Sequence, residues 1–91
     1  MSVGEVTVEN NEMRRRFEIR MDSHLAKLNY RVSDGEIDLI HTEVPEELGG
    51  RGLGNKLVEA ALAYARDNRL KVVPSCSFVS KYLARHPEWN T

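Results

Sequence analysis

The sequence contains a single cysteine, Cys76, and therefore cannot form a disulfide within the chain. A lone thiol is typical of a reducing compartment, so we expect a cytoplasmic location. No run of about 18 apolar residues is present to span a membrane. Residues 1–10 also lack the basic and apolar segments of a secretory signal. These absences predict a soluble protein without a membrane partner.

The sequence also lacks a strong net charge. Its net charge of -1 at pH 7 argues against general affinity for nucleic acid. The charges are nevertheless unevenly distributed. Residues 1–48 carry eleven acidic and six basic side chains, whereas residues 49–91 carry three acidic and seven basic ones. Either the second half binds an anionic partner, or these charges only solvate a helix surface.

Metal ligands at a useful spacing are missing as well. The three histidines, His24, His41 and His86, and the lone Cys76 do not occur at the intervals that zinc sites require. We therefore expect no metal cofactor.

The first half of the sequence has the two-residue periodicity of β-strands. Residues 25–32 alternate between apolar and polar side chains, and turn residues at 33–36 lead into a second alternating segment. This pattern predicts a hairpin over residues 25–44. Residues 15–21 predict a further strand, and residues 5–9 another.

The second half changes to helical periodicity. Apolar residues from Leu53 to Tyr64 recur every three to four positions, which predicts a helix from Gly52 to Asn68. A short apolar strand at 70–74 follows, and residues 77–85 predict a second helix with Ser77 as its N-cap. The predicted order is ββββαβα in one domain spanning residues 1–91, because a chain of this length supports one core.

Four glycines fall within the six positions from Gly49 to Gly54, between the predicted fourth strand and the first helix. The first backbone N–H groups of a helix lack intrahelical partners and lie at the positive end of its dipole, so a glycine-rich turn lets a phosphate approach them. The alternative is a tight turn that only needs positive φ. The density of glycines, with Arg51 and Lys56 beside them, favours phosphate.

Two common phosphate-binding motifs do not fit this loop. A P-loop requires Ser or Thr directly after its lysine, whereas Lys56 precedes Leu57. A dinucleotide-binding fold has its glycines after the first strand of a parallel βαβ unit, whereas this loop follows antiparallel strands. The sequence thus predicts neither ATP binding of the P-loop type nor NAD binding.

The order of these blocks resembles the GNAT-type N-acetyltransferases, and more closely their small single-domain members. The resemblance is carried by DLIHTEVPEELGGRGLGNKL at 38–57, KVVPSCSFV at 71–79 and HPEW at 86–89. In that superfamily a loop of pattern Gln/Arg-x-x-Gly-x-Gly/Ala holds the pyrophosphate of acetyl-CoA. Residues 52–54 match its end. The first position falls on Gly49, which leaves Arg51 or Lys56 as a substitute for the missing side chain.

The resemblance implies an α/β (α+β) fold, a minimal GNAT-like arrangement whose mostly antiparallel sheet splays at the CoA site. Acetyl-CoA would be the co-substrate. The residues that the resemblance implies for its binding are His41, Thr42, Val44, Gly49, Gly50, Arg51, Gly52, Leu53, Gly54, Asn55 and Lys56. Larger relatives carry one or two helices between their first strands. Because these helices are missing, we expect an acceptor site that is shallow, open or completed by a partner.

Four side chains are candidates for the chemistry of acetyl transfer. Cys76 lies between a strand and a helix whose dipole favours thiolate, and is either a nucleophile or a small buried residue. His41 and Glu43 alternate onto one face and are candidate bases, although His41 better fits a satisfied, partly buried imidazole. Tyr82 is either the acid that protonates the CoA thiolate or a core residue beside Phe78.

Three classes of function are consistent with these observations. The favoured one is an acetyl-CoA-dependent N-acetyltransferase that acts on an unidentified amine of a small molecule or protein. The second is a CoA-binding module with little or no turnover. The third is a structural protein in which the glycine turn serves only geometry.

Overall fold

The computed structural model describes residues 6–90, which form a five-stranded sheet with two helices. The strands are β1 (Glu9–Asn11), β2 (Arg16–Met21), β3 (His24–Ser33), β4 (Glu36–Glu43) and β5 (Lys71–Val73). The helices are α1 (Leu53–Asp67) and α2 (Ser77–Arg85), with 3-10 turns at Glu46–Leu48 and Pro87–Asn90. The predicted α+β class and element order are confirmed. Neither described helix is long and apolar enough to cross a membrane.

The strands lie side by side in sequence order. The first four pair antiparallel, whereas β5 pairs parallel with β4. A parallel pair needs a crossover connection, and α1 supplies it. The pairing is short, because β5 lies opposite only residues 36–38 of β4.

Beyond this short pairing the sheet is split. The Cys76 N–H still donates to the Leu39 carbonyl over 2.8 Å. Within the described chain, no strand pairs with residues 40–43 on the side away from β3. The mostly antiparallel sheet therefore opens between β4 and β5, as predicted.

The predicted strand at residues 5–9 is displaced. Glu5 lies outside the described residues, residues 6–8 are not in a strand, and β1 begins only at Glu9. A turn over residues 12–15 sets this register, with Arg15 N–H on the Glu12 carbonyl and Arg14 N–H on Asn11 Oδ1. Pairing with β2 starts directly at that turn, at Asn11.

The prediction of Ser77 as the N-cap of α2 is also wrong, because the N-cap is Cys76.

Both helices pack on the same face of the sheet and share one core. Their buried residues are Leu53, Leu57, Val58, Ala61, Leu62, Ala65, Val79 and Tyr82, and those of the sheet are Phe17, Ile19, Ala26, Leu28, Tyr30, Ile37 and Leu39. Each buried Leu, Ile, Val or Phe contributes about 1.5–3 kcal/mol. The apolar stripe predicted for the first helix is thus the side of α1 that covers the sheet.

A β-bulge in β4 determines which of its later side chains face the helices. Asn29 pairs with His41 and the next residue, Tyr30, pairs with Leu39, so Ile40 is the extra residue. Thr42 consequently lies opposite buried Leu28 and shares the helix-covered face. His41 lies on the other face of the sheet.

That other face carries polar side chains, with Glu18 at its centre. Glu18 is 2% exposed, because the side chains around it shield its carboxylate. Its oxygens lie 2.5 Å from Arg16 Nε and 3.5 Å from Arg20 Nη2, and accept a hydrogen bond from Asn11 Nδ2 at 3.1 Å. Burial raises the pKa of Glu18, but these hydrogen bonds and charges outweigh it, so the pKa lies below its ordinary value.

This network leads to a pH-dependent prediction for Glu18→Gln. Because the folded-state pKa of Glu18 is lowered, its stabilising effect is fully present above the unfolded-state pKa and is lost as pH falls through the folded value. Urea unfolding should give a loss of about 1–2 kcal/mol at pH 7, and a much smaller loss at acid pH. Glu36→Gln, at an exposed position of β4, is the control. An equal loss at both pH values would contradict the network.

Candidate functional site

The glycine segment joins the end of β4 to the start of α1. The 3-10 turn Glu46–Leu48 precedes it and is anchored by the buried side chain of Leu48. Gly50 and Gly52 have φ values of 78° and 71°, in the left-handed region that other residues adopt only with strain. Gly52 is the N-cap of α1 and has no side chain with which to cap it.

The amino-terminal end of α1 is consequently open. The first intrahelical hydrogen bond runs from Lys56 N–H to the Gly52 carbonyl, so the N–H groups of residues 53–55 precede the helical ladder. No acidic residue lies in the first turn. The helix dipole and these N–H groups thus favour an anion at this point.

A cleft of about 450 Å³ lies against this open helix end. It is lined by Val44, Pro45, Glu46, Gly49, Gly50, Gly52, Leu53, Gly54, Asn55, Phe78 and Arg85. We call it the glycine cleft. It brings seven of the predicted coenzyme-binding residues together with two residues of α2.

Gly54 has a packing function in addition to its place in the cleft. A Cβ at this position would lie 2.6 Å from Cζ of Phe78. The absent side chain therefore allows the start of α2 to approach α1. Phe78 itself remains 41% exposed and borders the cleft.

The two cations predicted to assist the loop do not line the cleft. Arg51 Nη1 lies 3.4 Å from Asp22 Oδ2 and 3.0 Å from Met21 Sδ, at the turn between β2 and β3. Lys56 is exposed and does not line the cleft. Arg85 is the arginine that lines the cleft. Contacts of Arg51 or Lys56 with a phosphate remain predictions.

The thiol of Cys76 lies where the split begins. Cys76 is 8% exposed and caps the start of α2, and its Sγ lies 3.4 Å from Thr42 Oγ1. Burial raises its pKa, but the Thr42 hydroxyl and the backbone N–H groups of Val79, Phe78 and Thr42 outweigh this, so the pKa is lowered. These N–H groups lower the pKa of Cys76 although its side chain forms no regular capping hydrogen bond at the start of α2.

The two candidate bases lie on the opposite face of the sheet from the thiol. His41 and Glu43 are both exposed and lie opposite Asn29 and Lys27 of β3, respectively. Glu43 Oε1 is 3.7 Å from Lys27 Nζ. The structure thus brings Thr42 and Cys76 together and separates them, through the thickness of β4, from His41 and Glu43.

Tyr82 lies between the two helices. It is 5% exposed, its hydroxyl donates to Glu59 Oε2 at 3.2 Å, and its ring stacks on His86 at 4.2 Å. Burial and the Glu59 carboxylate raise its pKa, so the hydroxyl stays protonated at neutral pH. Tyr82 lines a second depression next to the glycine cleft, and Cys76 does not.

Three polar residues of this region are not among the predicted site residues. They are Lys81, Arg85 and His86. One pattern in the sequence could have identified two of them. Phe78, Lys81 and Arg85 are spaced at i, i+3 and i+7, which places them on one side of a helix. Among residues 6–90, no group of three or more His, Cys, Asp or Glu side chains is arranged to hold a metal ion.

Comparison with known proteins identifies similar chains. Residues 16–91 match the family described as GCN5-related N-acetyl-transferase. Protein NATD1 of Mus musculus is 36% identical over 87 residues, covering 92% of this chain and 79% of the mouse protein. The human protein of the same name is 35% identical over 90% of this chain and 75% of its own length. Protein NATD1 of Danio rerio is 37% identical over 88% of this chain and 76% of its own length.

The contact between Thr42 and Cys76 can be tested by alkylation. Thr42→Val removes the hydroxyl that stabilises the thiolate, so the pKa of Cys76 should rise and alkylation at pH 7 should slow by about three- to tenfold. Mass spectrometry over a range of pH measures this rate. Thr42→Ser retains the hydroxyl and should behave like the wild type. If Thr42→Val leaves the midpoint of the alkylation rate against pH unchanged, the Thr42 hydroxyl does not lower the pKa of Cys76.

Proposed function

Since this chain belongs to the GCN5-related N-acetyltransferase family, we propose that it transfers the acetyl group of acetyl-CoA to an amine. Family membership supports an acetyltransferase-type role. The co-substrate and the class of acceptor are the proposed part. The observation that carries the proposal is the open N-terminus of α1 against the glycine cleft.

The proposed position of the pyrophosphate is at the first turn of α1. Three consecutive N–H groups, those of residues 53–55, are available to its oxygens, and no carboxylate of this turn competes with it. Positive φ at Gly50 and Gly52 turns the chain without a side chain that would block the anion. Charge-assisted hydrogen bonds of this kind are about twice as strong as neutral ones.

The proposed position of the pantetheine arm is the split in the sheet. Residues 40–43 of β4 have no partner among the described strands on the side where β5 has ended; the Thr42 N–H contacts the Cys76 thiol, which leaves the remaining backbone groups on that side for pairing. The amides of pantetheine can pair with these groups as an added strand would. This position directs the thioester toward Thr42 and Cys76, where β5 separates from β4.

In a direct reaction, the neutral amine nitrogen attacks the thioester carbonyl carbon. The carbon–sulfur bond then breaks, the amide forms, and the proton lost by nitrogen finally reaches the CoA sulfur. His41 or Glu43 would accept that proton, because both are exposed on a face where an acceptor can arrive. Tyr82 is protonated, but its hydroxyl is already directed to Glu59.

In a covalent reaction, the Cys76 thiolate attacks the same carbon and CoA leaves as its thiol after taking up a proton. The acetyl group is then a thioester of Cys76. In a second step the amine attacks the same carbon, the bond from that carbon to Sγ breaks, and the proton lost by nitrogen returns to the Cys76 thiolate. The lowered pKa of Cys76 supports this route. Its 8% exposure restricts access of other nucleophiles.

Asn55→Asp is a sharp test of the anion site, since it should affect binding and stability in opposite directions. A carboxylate in the first turn of α1 interacts favourably with the helix dipole, so the melting temperature of the variant should equal or exceed that of the wild type. The same charge repels the pyrophosphate, so the dissociation constant for CoA should rise by at least about tenfold, or about 1.4 kcal/mol. Calorimetric titration measures this constant.

Asn29→Asp makes the same chemical change on the polar face of β3 and should bind CoA like the wild type. Equal affinity of Asn55→Asp and wild type would contradict the anion site. A wild-type protein that gives no heat and no thermal shift with millimolar CoA would refute the proposal, because a bound ligand must stabilise the fold. Binding without turnover of an amine panel would instead identify a CoA-binding module.

A second experiment distinguishes the two routes. After incubation with acetyl-CoA alone, the covalent route predicts an adduct of one acetyl group that hydroxylamine removes and that Cys76→Ser does not form. Intact-mass spectrometry measures it. If no adduct accumulates and Cys76→Ala retains turnover, the transfer is direct and His41 or Glu43 becomes the better assignment.

A further inference from the structure

A cationic depression adjoins the glycine cleft on the side of α2. It has a volume of about 130 Å³ and is lined by Asn55, Phe78, Lys81, Tyr82, Arg85 and His86. We call it the α2 depression. Neither the predicted coenzyme-binding residues nor the proposed contacts of the pyrophosphate and pantetheine account for its cations.

Lys81 and Arg85 are one helical turn apart and both exposed. Among the ion pairs of residues 6–90, neither of these two side chains has a partner. Of the eleven other Lys and Arg side chains among these residues, five are in ion pairs, as Arg51 is with Asp22. The α2 depression is therefore lined by two cationic side chains that have no ion-pair partner in this part of the chain.

The carboxylates near the depression are directed to other groups. Glu59 accepts the hydroxyl hydrogen of Tyr82, and Glu88 Oε2 lies 3.2 Å from Nδ1 of His86. His86 also stacks on Tyr82, which fixes its ring at the wall. Neither carboxylate lines the depression, so Lys81 and Arg85 are the Lys and Arg side chains available there to an anion.

The α2 depression and the glycine cleft adjoin each other. Asn55, Phe78 and Arg85 line both. Phe78 is 41% exposed, and its ring forms an apolar surface between the two. A ligand that has one anionic group in the glycine cleft, a flat apolar group and a second anionic group can occupy both.

Coenzyme A has these three groups. Its pyrophosphate is joined to a ribose that carries both adenine and a 3′-phosphate, a monoester that is mostly dianionic at neutral pH. We propose that the α2 depression binds this 3′-phosphate, with Arg85 as its principal contact and Lys81 beside it, while Phe78 packs against the adenosine. This inference rests on the proposed function, because it takes CoA to be the ligand of the glycine cleft.

The test compares CoA with dephospho-CoA, which lacks only the 3′-phosphate. In calorimetric titrations the wild type should bind CoA about tenfold more tightly, since a charge-assisted contact is lost in dephospho-CoA. Arg85→Ala should reduce this ratio to about twofold or less by weakening CoA, with little change for dephospho-CoA. Arg85→Lys keeps the charge and should retain part of the ratio.

Arg31→Ala is the matched control. It removes the same charged group from an exposed position of β3, on the polar face of the sheet, and should leave the ratio unchanged. Equal binding of CoA and dephospho-CoA by the wild type would overturn the 3′-phosphate site and leave the proposed function standing. An equal loss for both ligands in Arg85→Ala would assign Arg85 to the pyrophosphate and also overturn it. Failure of both ligands to bind would remove the proposed function itself.

Discussion

The other features depend on one constraint: β5 pairs, in parallel, with only the first three residues of β4. Parallel neighbours must be joined by a crossover, so α1 has to start near the carboxyl end of β4 and return across the sheet. The glycine segment lies at that point because the chain must turn sharply into the helix. Since β5 ends at Val73, the later part of β4 keeps free backbone groups beside the same helix end. The short pairing thus places the split beside a helix end that Gly52 leaves without a side-chain cap.

The bulge at Ile40 then divides the candidate chemistry between two faces. In an unbroken strand, Leu39, His41 and Glu43 would share one face, and Thr42 would lie on the other. The extra residue inverts this order, so that Thr42 contacts Cys76 in the helix-covered layer and His41 and Glu43 reach the polar side. Under the proposed function, an acceptor that arrives from the polar side and a coenzyme that arrives from the helix side would meet at the split.

The sequence was sufficient for features that depend on local patterns. The hairpin of β3 and β4, the stripe of α1 and the glycine turn each follow from periodicity or from the conformational freedom of glycine. It was insufficient where the geometry of an irregular turn or bulge, or a contact between distant residues, decides. The register of β1 depends on a turn at residues 12–15, and the bulge has no signature in the alternation of β4. Arg85 borders the glycine cleft because α2 packs beside α1, where Gly54 leaves room for Phe78, and no single-element pattern records this packing.

The end of β5 also bears on aggregation. An edge strand with a long row of unpaired N–H and carbonyl groups acts as a template for another chain. β5 is the last strand of the described sheet, and it has three residues, begins with a lysine and is followed by Pro74, which lacks an N–H group. A longer β5 would close the split and extend the exposed edge at the same time. The shortness that keeps room for a ligand therefore also makes this edge a poor site for intermolecular β-pairing.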